Sequence, residues 1–145
     1  MKKKAFSLIE LLVVIAIIGT LTTLAVFSIN NLRAKSRDTK RVADIKKIQL
    51  VLENYYRDES AYPNTMSFGG NLIGTKSSTS YMAPTPQNPL PWNDGDCPNS
   101  DYSYQTSTKY GYKIQFCLNA SSSDILPGIN CATPKGIITG QCLED

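Results

Sequence analysis

Lys2-Lys3-Lys4-Ala5-Phe6-Ser7-Leu8-Ile9-Glu10, continuing as Leu11-Leu12-Val13-Val14-Ile15-Ala16-Ile17-Ile18, is the stretch from which the rest of the chain is read. The apolar run extends to Phe27 and is broken only by Gly19, Thr20, Thr22 and Thr23. From Phe6 to Ile29 it is long enough to cross a bilayer as one helix. Glu10 is the anomaly. An acidic residue costs roughly 2.5–3.5 kcal/mol near the centre of a span, and less near an interface, so this charge calls for a partner. Cleavage between Ala5 and Phe6 would create one, a new α-amino group on Phe6, one helical turn from Glu10.

This arrangement resembles the class III signal of type IV prepilins and type II secretion pseudopilins. In that family a short basic leader ends in a small residue, an aromatic opens the mature chain, and Glu stands at its fifth position. Here those roles fall on Lys2 to Lys4, Ala5, Phe6 and Glu10. The resemblance implies cleavage after Ala5 and methylation of the Phe6 amine by a prepilin peptidase. It also implies that Glu10 fixes subunit register in a polymer. The family usually has Gly before the cut, where this chain has Ala5. An ordinary secretory signal fits less well, because Glu10 interrupts the apolar region and the run exceeds the usual length. An ordinary membrane anchor accounts for the length but leaves Glu10 and the basic-to-Phe junction without a reason.

The chain has 145 residues, room for one modest domain beside a long N-terminal helix. A head of that size gains from covalent staples. Cys97, Cys117, Cys131 and Cys142 are spaced 20, 14 and 11 residues apart, with no Cys-x-x-Cys pair and no His in the chain. A zinc site is therefore disfavoured, and two disulfides in an oxidising compartment are expected. Four cysteines admit three connectivities. The pairing Cys97–Cys117 with Cys131–Cys142 is preferred because each bond closes a short local loop.

The formal charge of +3 comes from the leader: without Lys2, Lys3 and Lys4, 12 basic and 12 acidic side chains remain. They are segregated. Arg33, Lys35, Arg37, Lys40, Arg41, Lys46 and Lys47 face only Asp38 and Asp44 over the same stretch, whereas Glu53 to the end holds five basic and nine acidic residues. A basic shaft and an acidic head can attract each other between subunits; a solvated helix face is the plainer reading of the same residues. The cations flanking the span, three before and seven after, would by themselves place the head in the cytoplasm. The prepilin resemblance and the cysteines point the other way, to a translocated head, and that orientation is adopted.

No proline occurs before Pro63, so one helix, or two nearly continuous ones, is expected from Phe6 to about Asp58. Its first half is apolar all round. Its second half is amphipathic, with Leu32, Val42, Ile45, Ile48, Leu52 and Tyr55 at helical spacing and Val51 and Tyr56 widening the stripe. Pro63 disfavours helix at Tyr62, placing the end between Asp58 and Ala61. The family's proline near the twentieth mature residue is missing, so no kink is expected. Gly19 and its threonines are the turn where the helix would loosen in a polymer, or a small-residue surface for close packing.

Residues 60–100 read as loops, broken by Gly69-Gly70 and by Pro84, Pro86, Pro89 and Pro91, with Trp92 as a loop anchor. Tyr102 to Gln105 and Tyr110 to Leu118 read as an antiparallel hairpin. Tyr110, Tyr112, Ile114, Phe116 and Leu118 face the helix; Lys113, Gln115 and Cys117 face away. Asn119 to Pro127 reads as a turn, followed by a C-terminal loop with a short strand near Ile137-Ile138.

The fold expected is α+β: a long N-terminal helix packed on a small antiparallel sheet, with a loop-rich, disulfide-stapled C-terminal part. The organisation is leader 1–5, transmembrane and polymerisation helix 6–29, amphipathic helix 30–59 and head 60–145. No His-based triad, nucleophile turn, P-loop or dinucleotide fingerprint is present, so no enzyme and no cofactor is expected. Asp94, Asp96 and Asp101, with Asn93 and Asn99, make an oxygen-rich loop of the kind that holds Ca²⁺, but the spacing is not that of an EF-hand, and a solvated turn is the plainer reading. Nucleic-acid binding is not expected, because no aromatics interleave the basic run.

The resemblance therefore implies a structural filament subunit, single-pass in the cytoplasmic membrane as a precursor and later part of a surface or periplasmic filament. Its partners would be further copies and related pilins, a prepilin peptidase, an assembly platform and an assembly ATPase. The competing readings are a membrane-tethered binding module that never polymerises, such as a DNA-uptake receptor, and a tethered enzyme.

Overall fold

The computed structural model describes residues 7–93, 95–107 and 111–142, apart from the side chains of residues 27 and 28. Helix α1 (Leu8–Glu59) comes first, followed by β1 (Leu72–Ile73), β2 (Ser80–Met82), β3 (Ser103–Ser107), β4 (Gly111–Leu118), β5 (Gly128–Thr133) and β6 (Gly136–Thr139). The chain divides into two compact units, Met1–Arg33 and Ala34–Asp145. In the first, none of the described large apolar side chains of the helix is buried: Leu8, Ile15, Leu21 and Leu24 are all exposed. It is the one helix among the described residues long and apolar enough to cross a membrane.

The second unit is built on the stripe that a 3.6-residue period lays along one face of α1. Val42, Ile45, Ile48, Leu52 and Tyr55 are buried and share a core with Tyr112, Ile114, Phe116 and Leu118 of β4. Leu32, expected in the same stripe, is instead exposed and belongs to the first unit. It has the period, but among the described residues that unit contains no strand. Tyr56 is also half-exposed and stacks on Tyr62 at 4.7 Å between ring centres. The helix stops at Glu59, where Ser60 adopts a left-handed φ of 61° and donates its N–H to the Tyr56 carbonyl at 2.8 Å.

Strands β3 to β6 form a four-stranded antiparallel meander in sequence order. The expected hairpin is present as β3 and β4, with Ser103 opposite Gln115 and Ser107 opposite Gly111; Tyr110 lies outside the described residues. The region after Leu126 is not a loop with one short strand. It supplies two full strands, with Ile114 opposite Ala132 and Cys131 opposite Ile138. Gly128 and Gly136 open these strands with positive φ. Asn130, fully buried, donates its amide to the Leu126 and Gly128 carbonyls and fixes the entry to β5. The loop-rich stretch likewise holds a small hairpin, β1 with β2, which contributes Leu72 and Met82 to the core.

The cysteines pair as Cys97–Cys117 and Cys131–Cys142. Cys117 and Cys131 both lie on the face of the sheet turned away from α1, and the segments they tie down cover that face. Lys113, which sequence alternation assigns to that same face, is only 5% exposed.

Candidate functional site

Two sets of residues carry chemistry that the core does not need. The first is the start of α1. Ser7 is its N-cap, and its carbonyl accepts from the Glu10 and Leu11 N–H groups. The Glu10 carboxylate reaches back, with Oε2 accepting the Ser7 N–H at 3.0 Å. This is the acid half of a capping box, in which the acid at the third helical position satisfies a backbone donor that the helix leaves orphaned. The sequence announces it: Ser7-Leu8-Ile9-Glu10 has Ser and Glu three residues apart ahead of an apolar run. The signal is lost if Glu10 is read only as a charge in need of a counter-ion. Before any cut is made, the acid already has one hydrogen-bond partner. It remains a carboxylate on an apolar helix, and a single neutral donor does not cancel its charge. Ala5 and Phe6, the expected cleavage and methylation positions, lie outside the described residues.

Downstream, α1 runs unbroken through the Gly19 region. The hydroxyls of Thr20, Thr22 and Thr23 donate to the carbonyls of Ile17, Ile18 and Thr20 at 2.7–2.8 Å. Their polarity is absorbed within the helix, leaving an apolar outer surface.

The second set lies on α1 inside the second unit. Arg41, counted from sequence as part of an exposed basic shaft, is fully buried together with Asp38. Its Nη1 lies 2.7 Å from Asp38 Oδ1, and its Nε donates to Asn88 Oδ1 at 2.8 Å. Nη2 donates to the Pro91 carbonyl at 3.2 Å. Asp38 in turn accepts the N–H groups of Asn119 and Ala120 at 3.1 and 2.9 Å. One ion pair thus pins two loops, 88–91 and 119–120, to the helix. Trp92 completes the first loop by donating its indole N–H to the Asn88 carbonyl at 3.0 Å, an anchoring contact. No local pattern signals this pair, because its partners lie 47 to 82 residues away.

At the other end of the head, the buried Glu59 carboxylate accepts four hydrogen bonds, from Thr75 Oγ1, Lys76 N, Ser77 N and Ser77 Oγ, at 2.7–3.0 Å. The Ser77 hydroxyl is the largest cause in holding its pKa down to about 2, against the opposing effect of burial. Asp44, by contrast, is pushed up by burial, with Lys40 and Lys47 pulling the other way.

The acidic loop is less convergent than its sequence suggests. Asp96 is exposed, while Asp101 Oδ1 accepts the backbone N–H groups of Asn88 and Tyr102 at 2.8 and 2.7 Å. Asp94 lies outside the described residues. Among the described residues no three His, Cys, Asp or Glu side chains gather as a metal-binding group.

Residues 1–26 match the prokaryotic N-terminal methylation motif. The chain is similar to Type II secretion system core protein G of Dickeya chrysanthemi, 35% identical over 50% of this chain and 47% of that protein. The protein of the same name from Escherichia coli K12 is 38% identical over 44% of each chain. That of Klebsiella michiganensis is 29% identical over 87% of each. The chain spans about half the length of the first of these relatives. No solved structure matches it.

Proposed function

From a chain that carries the prepilin methylation motif and is homologous to Type II secretion system core protein G, we propose a subunit of a pilin-like filament. The observation that carries the reading is the start of α1, where a carboxylate sits in the first turn and the described apolar side chains from Leu8 to Val26 are exposed. Such a helix needs an apolar surround, first the bilayer of a membrane-anchored precursor and then the packed helices of a polymer. Cleavage after Ala5 and methylation of Phe6 leave a cationic amine beside the acid. In the polymer, Glu10 pairs with the Phe6 amine of an adjacent subunit. A misregistered subunit leaves a buried charge unpaired, at a cost of about 3–5 kcal/mol. That penalty is what selects one axial register. Extraction from the membrane draws on a separate assembly platform and ATPase, with a peptidase acting first.

Glu10→Gln separates the two roles of this side chain. Its amide oxygen still accepts the Ser7 N–H, so helix capping survives while the charge is lost. The variant is expected to insert and be processed normally but to yield no regular filaments when cells are sheared. Normal filaments from Glu10→Gln would refute the pairing. Mass spectrometry of wild-type protein should find a mature chain beginning at N-methylated Phe6. An intact Met1 would overturn the processing on which the whole reading stands.

A further inference from the structure

The core stripe of α1 defines the opposite face of the same helix in the second unit. That face is not simply polar. Ala43 and Leu50, seven residues apart, form a seam along it, and Leu50 is 65% exposed. Exposed lysines border the seam on both sides, Lys40 and Lys47 along one edge and Lys46 on the other. Arg41, at first sight part of the same cluster, faces inward and plays no part.

The head presents the counterpart. Ser122 and Ile125 exchange backbone hydrogen bonds at 3.1 and 3.0 Å across Ser123 and Asp124, both at positive φ (52° and 66°). This is a two-residue hairpin turn whose flanking pair fixes its shape. It carries Asp124 exposed at its tip and Leu126, 56% exposed, one residue beyond the pair. Its base is held to α1 by the Asp38 bonds to Asn119 and Ala120. The loop that meets the base of this turn carries a second exposed acid, Asp96. Its neighbour Gly95 lies so close to Asn119 that a Cβ at that position would overlap the Asn119 amide.

We infer that the Ala43–Leu50 seam with its lysine borders receives the Asp124–Leu126 knob of a second copy of this chain. The inference rests on the filament reading and deepens it by naming the head surfaces that meet. Leu126 would seat on the seam, and Asp124 and Asp96 would approach the lysines. The seam and the knob are different patches of one molecule, and the seam lies on the side of α1 turned away from the sheet. Their contact is therefore heterologous, and a heterologous contact that does not close on itself propagates as a helical filament. An anionic lipid surface could use the lysines, but it would leave the preformed acidic and apolar knob without a role.

The test uses the full chain in cells that assemble it. Lys40→Glu/Lys47→Glu and Asp96→Lys/Asp124→Lys are each expected to cut sheared filament yield at least about fivefold, since attraction becomes repulsion at every contact. The quadruple variant, with all four charges exchanged, is expected to recover most of the yield. A photoreactive benzophenone residue at position 50 should crosslink to residues 119–127 of another copy. Doubles at wild-type yield, a quadruple no better than the doubles, or crosslinks to lipid alone would each overturn the docking. Absence of sheared filaments from wild-type cells would instead overturn the filament reading, and the crosslink would still decide the docking.

Discussion

Asp38→Ala offers the most direct test of how this head is held together. The substitution takes the Asp38 carboxylate away from the fully buried Arg41 guanidinium and strips the Asn119 and Ala120 N–H groups of their acceptor. Removing one partner of a buried pair costs about 3–5 kcal/mol, chiefly because the remaining charge stays desolvated. The chain's one tryptophan, Trp92, reports on the event, since it belongs to the loop that Arg41 holds. Urea unfolding of the full chain in detergent micelles, followed by Trp92 fluorescence, is the assay. With a slope of about 2 kcal/mol per M for a small protein, the midpoint should fall by about 2 M. Asp38→Ala/Arg41→Met should recover part of the loss, because it removes a buried charge that has lost its Asp38 contact and fills the space with an apolar side chain. A midpoint shift below about 0.5 M for Asp38→Ala, equivalent to about 1 kcal/mol at that slope, would refute the reasoning. A double variant no more stable than the single would refute it equally.

Two further outcomes follow from the same head. The Glu59 pKa is lowered from 4.5 to about 2, so its contribution to stability is complete above about pH 4.5 and is lost as pH falls through 2. Urea midpoints measured across that window should decline in wild type and decline less in Glu59→Gln; identical slopes would refute the role of this carboxylate. The disulfides close loops of 20 and 11 residues. On chain-entropy grounds, replacing Cys97 with Cys117 by Ser should cost about 3.3 kcal/mol, and Cys131 with Cys142 about 2.8 kcal/mol, read as midpoint shifts; losses under about 1 kcal/mol would count against the entropic account.

Features that repeat along the chain were legible before any coordinates. The helix from Leu8 to Glu59, its buried face from Val42 to Tyr55 and the inward residues of β4 all follow from apolar spacing at 3.6 or 2 residues. Leu32 marks where that reasoning ends: it has the period, yet it is exposed and belongs to the first unit. The strands after Leu126 were hidden because six and four residues, interrupted by Asn130 and opened by glycines, give too short an alternation to stand out. The Glu10 cap on Ser7 is legible in the Ser7-Leu8-Ile9-Glu10 spacing, where the same carboxylate also reads as an uncompensated charge.

By itself the sequence determined the membrane-length apolar helix, the acid in its first turn, the long unkinked continuation and the presence of covalent staples. Each of these depends on residue type and local spacing, which a chain carries whether folded or not. Only tertiary structure decided which charges are available. It took Arg41 out of the basic face and into a pair with Asp38, buried Lys113, and left Lys40, Lys46 and Lys47 outside around Leu50. A side chain's charge is written in its identity, but its exposure is set by groups dozens of residues away that only folding brings beside it.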